Sequence, residues 1–187
     1  MTESLASLSE RALEDLRDVF ARLPDDAADP LIEAIAAARH IVVYGCGREG
    51  LQMRGLAMRL FHLGLSVAVR GDMNMPPVGP GDLLIVSAGP GQLATAGTLV
   101  DLARRAGART ALVTAQPGAT LARQVDIVAA IPAQTMADDR GSSRSVLPMG
   151  SLFEVAQMIF FELVILKLRS RLGETTETMR TRHTNLE

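Results

Sequence analysis

Ile41-Val-Val-Tyr-Gly-Cys-Gly-Arg-Glu-Gly50 is the stretch that decides the fold. Three β-branched residues and a tyrosine run straight into glycine, the pattern of a short buried strand ended by a tight turn. Helical spacing takes over from Leu51 to Leu63, so the turn joins a strand to a helix. The same grammar recurs downstream. Ser66-Val-Ala-Val69 reads as a second strand, and Asp82 to Ser87 as a third. After the third comes another glycine turn, Ser87-Ala-Gly-Pro-Gly-Gln-Leu93, and a helix running to Ala106. Thr110 to Thr114 and Asp126 to Ile131 supply the fourth and fifth strands, with a short helix near Thr120 to Gln124 between them. Apolar strands alternating with helices predict an α/β fold. Its core is a five-stranded parallel sheet covered on both faces, a doubly wound, flavodoxin-like three-layer sandwich with right-handed crossovers.

Helices are expected on both flanks of that core. Leu13, Leu16, Phe20 and Leu23 recur at helical spacing over Ser9 to Leu23, and Pro24 stops them. Asp29-Pro30 offers a cap and a first-turn proline to a second helix carrying Leu31, Ile32 and Ile35. From Gly150 to Arg171 the chain is apolar around most of a helical circumference, so this helix must be covered on several sides, and a subunit interface is expected on it, helped by the N-terminal helix pair. The expected organisation is one domain over residues 1–187. It comprises N-terminal helices (1–38), the α/β core (39–149), and a C-terminal helix and tail (150–187).

Of the 187 residues 48% are hydrophobic and 21% charged, enough to build a core and too apolar for a disordered chain. A net charge of −2 gives no reason to expect nucleic acid as partner. Cys46 is the one cysteine, and His40, His62 and His183 form no pair at ligand spacing, so neither a disulfide framework nor a metal site is expected. The N-terminus lacks a basic region and an apolar run. The most apolar stretch, Leu152 to Leu168, is broken by Glu154, Gln157, Glu162 and Lys167, unlike a membrane span. A cytoplasmic protein away from the membrane is the expectation.

In a doubly wound sheet, ligands bind beyond the carboxyl ends of the strands, where the strand order reverses. That makes the turns at 45–50, 70–81, 88–93, 115–118 and 132–150 the ones to read. Gly45-Cys-Gly-Arg-Glu-Gly50 satisfies the G-x-G-x-x-G pattern of dinucleotide binding. However, the second strand ends at Arg70 rather than at an acidic ribose ligand, and five strands leave little room for a nicotinamide half-site. A tight turn requiring glycine explains the pattern as well. Two glycine turns at neighbouring strand ends carry more information. Each opens a helix, and two helix N-termini around one cleft suit an anionic group such as a phosphate.

Five segments together resemble a known family, the sugar isomerase (SIS) domain, and within it the 6-phospho-3-hexuloisomerases. They are Gly45-Cys-Gly-Arg-Glu-Gly50, Met58-Arg-Leu-Phe-His-Leu-Gly64, Gly81-Asp-Leu-Leu-Ile85, Pro148-Met-Gly-Ser-Leu-Phe-Glu154 and Arg182-His-Thr-Asn-Leu-Glu187. The resemblance implies a homodimer or homotetramer that interconverts 3-hexulose 6-phosphate and fructose 6-phosphate through an enediol. It implies no metal and no organic cofactor. Two departures stand out. Glu49 replaces the serine of G-x-G-R-S-G, and Ala88-Gly-Pro-Gly-Gln-Leu93 replaces S-G-S-G-E-T. Hydroxyls are thereby lost at Ala88, Pro90 and Leu93, and each lost hydrogen bond to a charged ligand costs about 1.5–3 kcal/mol. The alternative these departures raise is a non-catalytic SIS module binding a sugar phosphate or related metabolite.

The residues carried over follow from that resemblance. Glu154, in the first turn of the apolar C-terminal helix, is the candidate enediol base, because apolar surroundings raise a carboxylate's pKa. A glutamate complementing the helix dipole is the plainer reading. His183 is the candidate acid and base for ring opening, on a tail that closes over a cleft of a neighbouring subunit, with Arg182, Asn185 and Glu187 beside it. A lone terminal histidine is otherwise solvated. The candidate ligand-binding set is Gly45, Gly47, Arg48 and Glu49 from the first turn and Ala88, Gly89, Gly91 and Gln92 from the second. Thr114 and Gln116 join from the end of strand four. Arg48 is placed either to clamp an anion or to pair with Glu49. Cys46 and His62 read as packing residues. Asp138, Asp139, Arg140 and Arg144 form a charged loop, solvated or lid-forming.

Overall fold

The computed structural model describes residues 3–139 and 145–186, so Arg140, Arg144 and Glu187 lie outside the described residues. Two helices, α1 (Leu5–Ala21) and α2 (Asp29–Ala37), lead into β1 (Ile41–Tyr44) and α3 (Gly47–His62). Then follow β2 (Val67–Val69), β3 (Leu83–Ser87), α4 (Ala94–Arg105) and β4 (Arg109–Thr114). A 3-10 turn at Leu121–Gln124, β5 (Ile127–Ala130), α5 (Ser151–Arg171) and α6 (Thr176–Thr181) complete the chain. The five strands are parallel in the order β2-β1-β3-β4-β5. Strand order therefore reverses between β1 and β3, the two strands followed by glycine turns.

Side-chain alternation splits the core into two layers. Ile41, Val43, Leu83 and Ile85 pack with α2, α3 and α5 on one face, and α1 adds Leu16 and Val19 to that layer. Val42, Leu84 and Val86 pack with α4 and the 3-10 turn on the other. The C-terminal helix α5 is buried along Leu152, Phe153, Ala156, Phe160, Phe161, Val164, Ile165 and Leu168, which explains its nearly all-round apolar sequence. Val155 and Ile159 are half-buried against the core, while Met158, Leu163 and Leu166 stay exposed. Among the described residues no helix is long and apolar enough to cross a membrane.

The structure extends the sequence reading at three places. Helix α1 starts at Leu5 rather than near Ser9, because the Ser4 hydroxyl caps it through the Ser7 N–H. Helix α3 starts at Gly47, so most of the first glycine motif is helix rather than loop. A short helix, α6, follows α5, closed by a reciprocal cap between Thr175 and Thr178.

The glycine spacing of the first turn has a steric cause. A Cβ on Gly50 would lie 2.6 Å from the Gly45 carbonyl oxygen, because helix and strand approach backbone to backbone there. Gly50→Ala is therefore expected to destabilise the fold by about 1–3 kcal/mol. Urea denaturation measures it, and an unchanged midpoint would show that the backbone gives way without cost.

Candidate functional site

Three helices begin at the reversal point of the sheet. Their N-cap residues are Cys46 for α3, Leu93 for α4 and Gly150 for α5, and none supplies a side-chain cap. By contrast α1 and α6 are capped by Ser4 and Thr175, and α2, away from the reversal point and also without a side-chain cap, has Pro30 in its first turn. Residues of all three ends at the reversal point line one cleft of about 470 Å3, closed on one side by Pro148, Met149 and Met136. Free N–H groups and positive dipole ends make such a place attractive to anions.

Glu154 lies in the first turn of α5, and its side chain is 16% exposed. Its carboxylate meets the Arg48 guanidinium at 2.6 Å, and the same Arg48 nitrogen reaches the Ser151 hydroxyl at 3.0 Å and the Met149 carbonyl at 3.3 Å. Met149 holds a φ of +54°, a left-handed conformation that costs a non-glycine residue energy. That turn delivers its carbonyl to Arg48 and starts α5 where Glu154 faces the cleft. Burial raises the Glu154 carboxyl above the ordinary carboxylate value, and Arg48 opposes the rise.

A second carboxylate shares the cleft. Glu49 accepts hydrogen bonds from the Ser87 hydroxyl and, at 2.9 Å, from the Gly89 N–H. Burial raises its pKa too, the bonds from Ser87 and Gly89 hold it down, and the charge on Glu154 adds to the rise. Behind it, Gln157 is fully buried and donates from Nε2 to the Ser87 oxygen at 2.7 Å. Gln157 was not among the sequence candidates, although a glutamine one turn beyond Glu154 in an otherwise apolar run was the available signal.

The cleft gathers Gly47, Arg48, Glu49 and Glu154. Arg48 pairs with Glu154, not with Glu49. Gly45 stands behind, beneath Gly50. Gly89 presses on the Phe153 ring, where a Cβ would come within 2.7 Å. Ala88 and Thr114 are fully buried and hold the second turn from inside: Ala88 N–H donates to the Val113 carbonyl, and the Thr114 hydroxyl donates to the Gly89 carbonyl. Gly91 packs closely on Gln116, whose N–H donates to the Thr114 oxygen, while Gln92 is exposed. Cys46 lies 2.9 Å from the Tyr44 oxygen and is half-buried.

The tail does not reach this cleft within one protomer. The His183 ring stacks on buried His62 with centroids 5.3 Å apart. Arg182 donates to the His62 carbonyl and pairs with Glu174 through both terminal guanidinium nitrogens. Asn185 is exposed. His62 ends the helix that Arg48 begins, so the two are about 20 Å apart along the axis. As a packing residue His62 is buried as expected, with His183 as its neighbour.

Comparison with known proteins places these observations. Residues 34–159 match the SIS domain. The chain is 34% identical over 175 residues to the 3-hexulose-6-phosphate isomerase of Bacillus subtilis (strain 168), spanning 94% of this chain and 95% of that one. It is 37% identical over 174 residues to the 3-hexulose-6-phosphate isomerase of Mycobacterium gastri, spanning 93% and 87%. A Methanococcus jannaschii protein, whose crystal structure infers a molecular function of 3-hexulose-6-phosphate isomerase, superposes with a TM-score of 0.80. That match is 27% identical and spans 97% of this chain and 98% of that one.

Proposed function

Since the chain belongs to the SIS domain family, we propose that it is a sugar-phosphate isomerase converting 3-hexulose 6-phosphate to fructose 6-phosphate. The observation that carries the reading is Glu154, a part-buried carboxylate held by Arg48 between uncapped helix N-termini. The reaction moves a carbonyl from C3 to C2. Glu154 takes the proton from C2, leaving a 2,3-enediolate, and returns it to C3. The hydroxyl proton of O2 leaves as the C2 carbonyl forms, and O3 gains one. Arg48, already within reach of Glu154, stabilises the negative oxygen between those steps. No electron leaves the sugar, so the chemistry needs no redox cofactor; on this reading Arg48 supplies the charge stabilisation, and neither metal nor organic cofactor is used.

A phosphate carried by the substrate fits the three helix ends. His183, the candidate for ring opening, enters from a second copy of the chain. The exposed apolar residues Leu51, Met58 and Phe61 share one face of α3, and Met158 and Leu166 lie on neighbouring α5. An isologous contact there buries both patches at once and supports a homo-oligomer of single-domain subunits.

The test is fructose 6-phosphate in D2O followed by proton NMR. An enediol made by one base exchanges the C3 hydrogen, so that resonance is expected to fade on the timescale of turnover. No exchange together with thermal stabilisation by fructose 6-phosphate would replace the isomerase with a non-catalytic binding module.

A further inference from the structure

The Glu49 carboxylate occupies two donors of the second glycine turn, the Ser87 hydroxyl and the Gly89 N–H. Along residues 88–91 of that turn, the Ala88 N–H is spent on the Val113 carbonyl and the Gly91 N–H on the Ala88 carbonyl. Pro90 has no N–H. The remaining one, on Gly89, is held by Glu49 at 2.9 Å. The nearby Ser87 hydroxyl is held as well, and its direction is fixed: because Gln157 Nε2 donates to the Ser87 oxygen, the single hydroxyl proton is free to go to Glu49. The Phe153 ring closes the turn from the side of Gly89.

We infer that Glu49 is a built-in anion that competes with the ligand's phosphate for the Gly89 and Ser87 donors, and so determines how strongly the cleft discriminates between phosphorylated and unphosphorylated sugars. The ligand class rests on the isomerase reading; the competition itself rests on the bonds of Glu49. A carboxylate and a phosphate make the same demand on an N–H at a strand end, so both cannot be served there together. The charge balance points the same way. Arg48 is engaged by Glu154, and Glu49 has no cationic side chain among its bonded partners. An arriving dianion meets that carboxylate as well as the helix ends. The burial that raises the Glu49 pKa reflects the same surroundings, which penalise its charge.

Sulfate is the probe, because it keeps its charge through neutral pH and cannot react. Binding is measured by calorimetry at constant ionic strength for the wild type, Glu49→Gln and Glu49→Ala, with fructose as the neutral comparison. Both variants are expected to bind sulfate at least tenfold more tightly than the wild type, with fructose binding changed less than twofold. Glu49→Gln keeps the size of the native side chain and loses its charge, which weakens its hold on the two donors, so it reports even where Glu49→Ala unfolds. Equal or weaker sulfate binding in a folded Glu49→Gln overturns the inference. The C3 exchange reaction judges the isomerase separately. Tighter sulfate binding without exchange in the wild type leaves the competition standing and removes the isomerase. Unchanged sulfate binding with exchange intact does the reverse.

Discussion

Glu154→Gln is expected to lower kcat by at least a hundredfold while sulfate is still bound at least as tightly as by the wild type, because the change frees Arg48 from its ion pair and removes a negative charge from the cleft. General acid–base catalysis contributes about 10²–10⁴-fold. The amide keeps the shape of the carboxylate and its reach to Arg48, 2.6 Å away in the native protein, yet has no lone pair basic enough to take a carbon-bound proton. Stopped turnover with intact anion binding separates a lost base from a damaged site. Undiminished turnover would remove Glu154 from the mechanism. A pH profile adds a second reading of the same group. The base must be ionised, so kcat/KM falls as pH drops through the Glu154 pKa. Burial has moved that pKa above the ordinary carboxylate value, and Arg48 restrains the move. Arg48→Met removes the restraint. The acidic limb is then expected to shift to higher pH, alongside any fall in rate, and a limb that stays put would show that another group sets it.

The fold was legible because each strand announces itself. Ile41 to Tyr44 and Leu83 to Ser87 are apolar runs that stop at glycine, and burial on both faces leaves them no other use. Parallel order followed from the intervening helices, and the reversal between β1 and β3 put both glycine turns in one place. The pairing of charges inside the cleft was less legible. Glu49 and Arg48 adjoin in sequence and invite a pair, but on a helix adjacent residues point about 100° apart. Arg48 turns to α5 and Glu49 to the end of β3. Gln157 escaped notice because its partner, Ser87, is 70 residues away and comes near only when α5 packs beside α3. Thr114, at the end of β4, reads in sequence as a ligand contact, yet it is wholly inside and holds the second glycine turn from beneath. Helix α6 was missed because six residues carry too little periodicity to be seen.

His183→Ala is expected to cost as much as Glu154→Gln, about a hundredfold or more if the imidazole opens the ring or moves the oxygen-bound proton. The structure makes a sharper forecast possible. Within one protomer His183 sits against His62, at the opposite end of α3 from Arg48, so on the proposed reading its route into a cleft is through another copy. Each dead variant then retains what the other lacks. Glu154→Gln subunits carry an intact His183, and His183→Ala subunits carry an intact Glu154. In a two-fold dimer formed at random from equal amounts, half the molecules are mixed and one of their two sites is whole. Activity should therefore return to about a quarter of the wild-type value after unfolding and refolding the two variants together. Refolding each alone should restore none. The apolar face supplies a control, because Met58→Glu places a charge where α3 would meet its partner and should abolish the recovery while lowering the mass seen by light scattering. Full activity in His183→Ala, or no recovery on mixing, would confine the chemistry to the residues around Glu154 and leave the stacked histidines to hold the tail on α3.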